Sequence, residues 1–340
     1  MLQRVIPALT LCLLSLPVWA QTEPPATPPA TENAAPAQVL EEVPQTVLVS
    51  GARPGPGLWK VSKGEHVMWV FGTYSPVPKK MEWRSRDVEK IIAGSQEYLK
   101  APGAGFGVGW NGLTALPFLF GVKSNPDGEL KNLVPPEVYA RWQPLKQKYF
   151  DNDDSVERER PSFIAAQLTS RAYKEAGLVG GNEITKTIDK LAEKHKLKVT
   201  NAAVNIQIKD PAKAVREFKK SPMDDVPCLI KTIERLEGEL DFMRARANAW
   251  AVGEIEDIRK LNYEDRAACQ QALSSSSLAK NQPEFKTLQE TSTTKWVEAA
   301  EKALAANTST FAVVHIKDIF DPKGVIAVLQ AKGYTVEPPK

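Results

Sequence analysis

Apolar residues recur at every second position near the start of the folded region. Trp59, Val61, Val67, Trp69 and Phe71 all fall on odd numbers, the period of a strand with one face on a core. The stretch reads as an apolar strand with a polar lead-in. Gly72 then ends the run where the backbone is tight or a ligand comes close. Pro76 and Pro78 keep the exit extended, since each removes a donor and steers the preceding residue away from helix. Ser85 is placed to cap a helix beginning RDVEKIIAG, with Asp87 and Glu89 in its first turn.

Further along, the period lengthens. Residues 135–150 and 155–176 read as helices, with Pro135 and Pro136 at the entry and Gly177 past the later exit. In 182–196, Ile184, Ile188 and Leu191 share one face. AVNIQIKD reads as a strand and PAKAVREFKK as a helix. Residues 226–247 and 249–261 read as two more helices, continued by YEDRAACQQAL. Ser274–Ser277 reads as a loop, and 284–305 as a helix holding Trp296. The chain closes with FAVVHI as a buried strand, DPKG as a turn, VIAVLQAKG as a helix and YTVE as a last strand. The glycines at every second position from Gly103 to Gly109 match neither G-x-G-x-x-G nor a P-loop, so this stretch is expected to be a flexible loop. Strands near both ends with helices between them predict an α+β fold: a mixed sheet covered by helices, with a long helical middle, in one domain from residue 51 to 340.

Composition adds the compartment. MLQRVIPALTLCLLSLPVWA has a basic Arg4, an apolar run and a small-residue site ending in Ala20. That is the grammar of a signal peptide cleaved after Ala20, and it places the mature protein in the periplasm or outside the cell. Residues 21–50 are rich in Pro, Ala and Thr and read as a disordered linker, with VLEEVPQTVLVS near its end able to add an edge strand. The 44 basic and 41 acidic residues leave a charge of +3, with no basic stripe, so nucleic acid is not an expected partner. No later apolar run reaches the length of a membrane span. Beyond the leader two cysteines remain, Cys228 and Cys269. They form either one disulfide or two separately buried thiols.

Certain short motifs carry a resemblance. Leu58-Trp59-Lys60-Val61, then Gly72-Thr73-Tyr74, then Val77 and Trp83-Arg84-Ser85 resemble the opening of the TraB/GumN family, relatives of the Tiki metallopeptidases. Trp250 and Gly253-Glu254 resemble its W-x-x-G-D segment. The resemblance spans roughly residues 58–337 and implies a core of the EreA/ChaN-like type. It also implies a divalent metal held by histidines from two glycine turns and assisted by a carboxylate.

At those positions this chain differs. Ser75 stands where the resemblance implies the first histidine, and Lys100 where it implies the acidic residue. Near the C-terminus an ungapped match through Phe311 and Val314 to Pro322 puts His315 and Lys317 on the glycines and Asp318 on the second histidine. Ser292 and Thr293 replace an R-N pair. A hydroxyl, an ammonium and one carboxylate make a poor set for a metal that activates water, so neither metal nor other cofactor is expected. The reading is a secreted domain without metallopeptidase activity that binds or regulates a protein or peptide ligand in the cell envelope. A salt bridge between Lys100 and Asp318 is expected to fill the site. The alternative is a hydrolase with a rearranged site around His315 and Asp318, aided by Glu97 or Glu254. A Ser75–Lys100 nucleophile and base pair is a further variant. His66 and His195 are expected at the surface.

Overall fold

The computed structural model describes residues 55–339 apart from Arg84, Glu239, residues 260–263, Gln282 and Lys286. The leader, the Pro-rich linker and the edge strand expected near its end lie outside the described residues. Ten strands are present among the described residues: β1 (Leu58–Lys63), β2 (His66–Thr73), β3 (Val77–Pro78), β4 (Glu97–Leu99), β5 (Ala104–Gly107), β6 (Leu178–Val179), β7 (Lys198–Thr200), β8 (Val204–Gln207), β9 (Ser309–His315) and β10 (Thr335–Glu337). The helices before the middle of the chain are α1 (Arg86–Ala93), α2 (Pro136–Phe150), α3 (Pro161–Glu175), α4 (Glu183–Lys194) and α5 (Pro211–Lys220). They are followed by α6 (Val226–Gly238), α7 (Leu240–Val252), α8 (Ile255–Arg259), α9 (Glu264–Ser275), α10 (Ser277–Asn281), α11 (Leu288–Ala306), α12 (Ile316–Phe320) and α13 (Val325–Ala331).

The main sheet has six strands in the order β10-β1-β2-β9-β4-β7. β1 is antiparallel to both β10 and β2, while β2, β9, β4 and β7 run parallel. The expected α+β class, with a mixed sheet and a helical middle, is what the fold shows. Strand β9 is buried on both faces, from Thr310 to Val314, as the continuous apolar run FAVV requires of a central parallel strand. Around the sheet a core of Val61, Met68, Phe71, Tyr98, Phe311 and Leu329 packs against Trp250 of α7 and Trp296 of α11.

The helical middle has its own core. Leu130, Trp142, Ile164, Leu168, Leu229 and Ile233 are fully or almost fully buried there, bringing together α2, α3 and α6. Cys228 and Cys269 close a disulfide between α6 and α9, with Cα atoms 4.5 Å apart, which decides between the two thiol states. A buried ion pair lies beside this core: Lys146 Nζ reaches Glu157 at 2.9 Å with both side chains under a tenth exposed. Glu157 also accepts from Tyr139 Oη at 3.0 Å and Trp142 Nε1 at 3.2 Å. Burial alone would raise the Glu157 carboxyl, but the bonds from Lys146, Tyr139 and Trp142 outweigh it and hold it below the ordinary range. Burial would likewise lower Lys146, yet its bonds to Asp154 and Glu157 push it up to about 12.

Several expectations need correction. The glycine stretch is not a flexible loop: Ala104–Gly107 is β5, paired in parallel with β8. A Cβ on Gly105 would come within 2.7 Å of Asn205 Oδ1, and one on Gly107 within 2.3 Å of Gln207 Nε2. The alternate glycines clear one face of β5 for the polar side chains of its partner. The expected helix 226–247 is matched by α6 and α7, and α7 runs on to Val252 instead of a new helix starting at 249. Gly253 (φ +80°) ends α7 in the left-handed region, where a residue with a Cβ is strained. Only Ser276 separates α9 from α10, so Ser274–Ser277 is not an extended loop. His66 and His195 are half-buried rather than surface residues. The His66 Nδ1–H donates to the Asn307 carbonyl at 2.7 Å.

Three outcomes follow from this packing. Glu157→Ala leaves the Lys146 ammonium in a buried site with one carboxylate fewer, so unfolding in urea should show a loss of about 3 kcal/mol, while a Lys146→Met/Glu157→Leu double variant loses much less. Because the folded Glu157 carboxyl lies below its unfolded value, its contribution is present above about pH 4.3 and disappears as the pH falls through the lower folded value; Glu157→Gln should flatten that part of the stability curve. Reducing the Cys228–Cys269 bridge, which spans 41 residues, should cost about 4 kcal/mol by loop entropy, read as a lower urea midpoint in the presence of reductant.

Candidate functional site

Because β2, β9 and β4 run parallel, their C-terminal ends share one edge of the sheet, where open α/β sheets place their ligands. Thr73 pairs with His315, and Leu99 pairs with Ala312. Ser75 is therefore two residues past the β2 end of this edge, Lys100 one past β4, and Asp318 in the first turn of α12, directly after β9. The three positions at which the resemblance implies a metal site thus follow the ends of three neighbouring strands.

Ser75 is tied down by the chain beyond it. Its Oγ accepts from the Gly181 N–H at 3.0 Å, and β3 pairs antiparallel with β6 just after it. The exit from β2 is thereby fixed to the connection between α3 and α4. At Lys100 the backbone is held from two sides: its N–H donates to the Thr200 carbonyl at 2.9 Å, and its carbonyl accepts from Trp296 Nε1 at 2.8 Å. Its ammonium reaches Asp189 of α4 at 3.2 Å. That corrects the expected Lys100–Asp318 bridge. Asp318 instead has Lys317 at 4.0 Å. The proposed base for Ser75 is engaged with Asp189 as well. Tyr98, one strand face away, is buried beside Asp189, and burial followed by that carboxylate pushes its hydroxyl well above the ordinary range.

His315 caps α12: its Nδ1 accepts from the Lys317 N–H at 3.3 Å. This gives it a local structural task in the turn that replaces the implied glycines. The helix IKDIF itself was not foreseen in the sequence, where the segment read as the continuation of a strand into a turn.

Of the residues expected to aid a site around His315 and Asp318, Glu97 lies elsewhere on the sheet. Glu97 pairs with Thr310 at the opposite end of β9, five residues from His315, or about 16 Å along the strand. It is buried, and accepts from Thr200 Oγ1 at 2.5 Å, Asn307 Nδ2 at 2.9 Å and Lys198 Nζ at 3.1 Å. Burial would raise this carboxyl, but those three bonds together keep it below the ordinary range. Glu97 lines a cleft of about 470 Å³ between β7 and α11, away from the edge that carries His315. Glu254 is exposed past the end of α7.

Gly72 has a packing role. A Cβ there would lie 2.9 Å from Trp59 and 3.1 Å from Ile319, and its carbonyl accepts from the buried Trp250 Nε1 at 2.7 Å. Trp250, Phe71 and Trp83 pack against one another in tilted and edge-on arrangements with ring centroids 5.6–6.0 Å apart. Aromatic side chains adjoin the end of β2. Among the described residues no group of three His, Cys, Asp or Glu side chains converges to hold an ion. Asp189 and Gly181, the partners of Lys100 and Ser75, were missed from the sequence. Asp189 follows Ile188 on an amphipathic helix and carries no local mark that distinguishes it from other surface carboxylates.

Gly72→Ala should lower stability by about 1–3 kcal/mol through overpacking against Trp59 and Ile319. Thermal unfolding checks this, and an unchanged melting point would return Gly72 to the role of a ligand-contact residue.

Comparison with curated proteins and with solved structures returns no match for this chain. Comparison with family models matches residues 57–338 to the TraB/PrgY/gumN family. That match covers the whole main sheet from β1 to β10, including the edge on which Ser75, Lys100 and Asp318 lie. The chain belongs to the TraB/PrgY/gumN family.

Proposed function

We propose that this protein is a TraB/GumN-family domain of the cell envelope that has exchanged metallopeptidase chemistry for binding or regulation. The observation that carries this reading is the donor set at the sheet edge. A hydroxyl held by a backbone N–H, a lysine paired with Asp189 and one carboxylate beside Lys317 stand at the three positions. An ammonium at a cation site opposes metal binding by direct repulsion, and a serine hydroxyl is a weak ligand for zinc-like ions. The Lys100–Asp189 pair neutralises charge at this edge without a metal.

The envelope assignment is supported by the leader ending at Ala20 and by the Cys228–Cys269 bridge, since such bridges persist in oxidising compartments. A protein or peptide from that compartment is the ligand class the reading implies, with no metal or organic cofactor. Purified protein dialysed against zinc, manganese or cobalt should retain substoichiometric metal by elemental analysis. It should leave unstructured peptides uncut, and His315→Ala should change neither result. Bound metal near one equivalent that is lost in His315→Ala would overturn the proposal in favour of an active hydrolase.

A further inference from the structure

From Ala101 to Val122 the chain carries no charged residue, and Lys100 and Lys123 bound the stretch. It contains β5 and a 3₁₀ segment, Trp110–Phe118. Six large apolar side chains within it are exposed: Phe106 (51%), Val108 (43%), Leu113 (70%), Leu116 (57%), Leu119 (45%) and Phe120 (91%). The described surface has only three others of this kind, Val199, Phe242 and Leu273, so exposed apolar bulk is concentrated in this one segment. A concentration of that sort marks an interaction site on a soluble fold. Phe120 and Leu113 are too exposed to line a groove; they protrude.

The neighbouring element supplies charge. Helix α5 packs along the 3₁₀ segment and carries Lys213, Arg216, Lys219 and Lys220, against one acid, Glu217. The Arg216 guanidinium lies 4.6 Å from the Phe118 ring centre, and Lys219 Nζ donates to the Phe120 carbonyl at 2.7 Å. Cations therefore stand at the base of the protruding apolar side chains. Apolar tips above a basic collar match a lipid surface, with side chains entering the acyl boundary and cations meeting anionic headgroups. A second copy fits less well, because pairing of the same patch would bring two basic collars together.

We infer that the segment Phe106–Phe120, with α5, docks this protein peripherally on an anionic membrane surface. No helix of the described fold is long and apolar enough to cross a membrane, so this contact is a surface one. It is independent of whether the sheet edge binds metal.

The test uses a chain begun at Ser50, which keeps the whole compact unit Ser50–Lys340 and removes the apolar leader as a source of binding. Co-sedimentation is measured with vesicles of phosphatidylcholine alone and with vesicles containing one third phosphatidylglycerol. The inference expects binding to the anionic vesicles at least tenfold tighter than to neutral ones, weakening as salt is raised. Leu116→Ser/Phe120→Ser should reduce it at least tenfold, and Lys213→Glu/Lys220→Glu should abolish the preference for anionic lipid. All four side chains except part of Leu116 are at the surface, so the melting temperature of each variant should match the parent. No sedimentation with either vesicle overturns the inference, as does binding unchanged in Leu116→Ser/Phe120→Ser. Absence of vesicle binding together with a dimer that Phe120→Ser dissociates assigns the patch to a second copy. Absence of vesicle binding together with capture of a peptide spanning residues 21–50 assigns it to the chain's own acidic N-terminal segment.

Discussion

The parallel pairing of β2 with β9 is the constraint on which the rest depends. Seven consecutive residues from Val67 to Thr73 lie beside Ser309 to His315, joining parts of the chain more than 200 residues apart. Closing so long a loop is costly, though the cost grows only slowly with length. It is offset by burying the strand residues Met68, Val70 and Phe71 against Phe311 and Val313. With that register fixed, β4 is added on the far side of β9, and the ends of all three strands come to one edge. The helical middle, with its own core, is then an insertion hung between β4 and β9 and fastened by the β7 edge, β8 and the β3–β6 pair.

At the edge, the scaffold carries Ser75, Lys100 and Asp318 where the resemblance implies histidines and a carboxylate. Metal ligands have to converge from rigid strand ends, and the strand ends here are held by hydrogen bonds at Ser75 and Lys100. What occupies them serves structure. Ser75 fastens the β2 exit to Gly181, Lys100 connects β4 to α4 through Asp189, and His315 caps α12. Each interaction is modest, and the half-exposed Lys100–Asp189 pair contributes little stability by itself. Together they hold the edge in one arrangement, with Trp250, Trp83 and Phe71 packed against the end of β2.

Much of the architecture was legible in the residues. The odd-numbered apolar positions held in β1, where Trp59 and Val61 are buried. They did not hold in β2, where the turn after Lys63 shifts the register and the even-numbered Met68 and Val70 are buried while Val67 and Trp69 are half-buried. The run FAVV gave β9, Pro136 and Pro211 marked the starts of α2 and α5, and the helix read over 155–176 begins only at Pro161. The positions of Ser75, Lys100 and Asp318 at neighbouring strand ends also followed from the motifs. What did not follow were features set by partners distant in sequence. The glycines of β5 read as a loop because their reason is the side chains of Asn205 and Gln207 on another strand. Lys100 was matched to Asp318 because both fall at the same edge, yet α4 brings Asp189 closer. Helix α12 escaped notice because five residues between a strand and a turn hold no periodic signal; its cap is His315, whose role appears only with the backbone bent around it.

The central claim, that this edge keeps its geometry without a metal's donors, is tested most directly by anomalous diffraction from crystals of the protein equilibrated with manganese or zinc. The account predicts no anomalous peak among Ser75, Lys100 and Asp318, with Lys100 still on Asp189. A strong peak there, with Lys100 turned away and His315 swung in as a ligand, would contradict it.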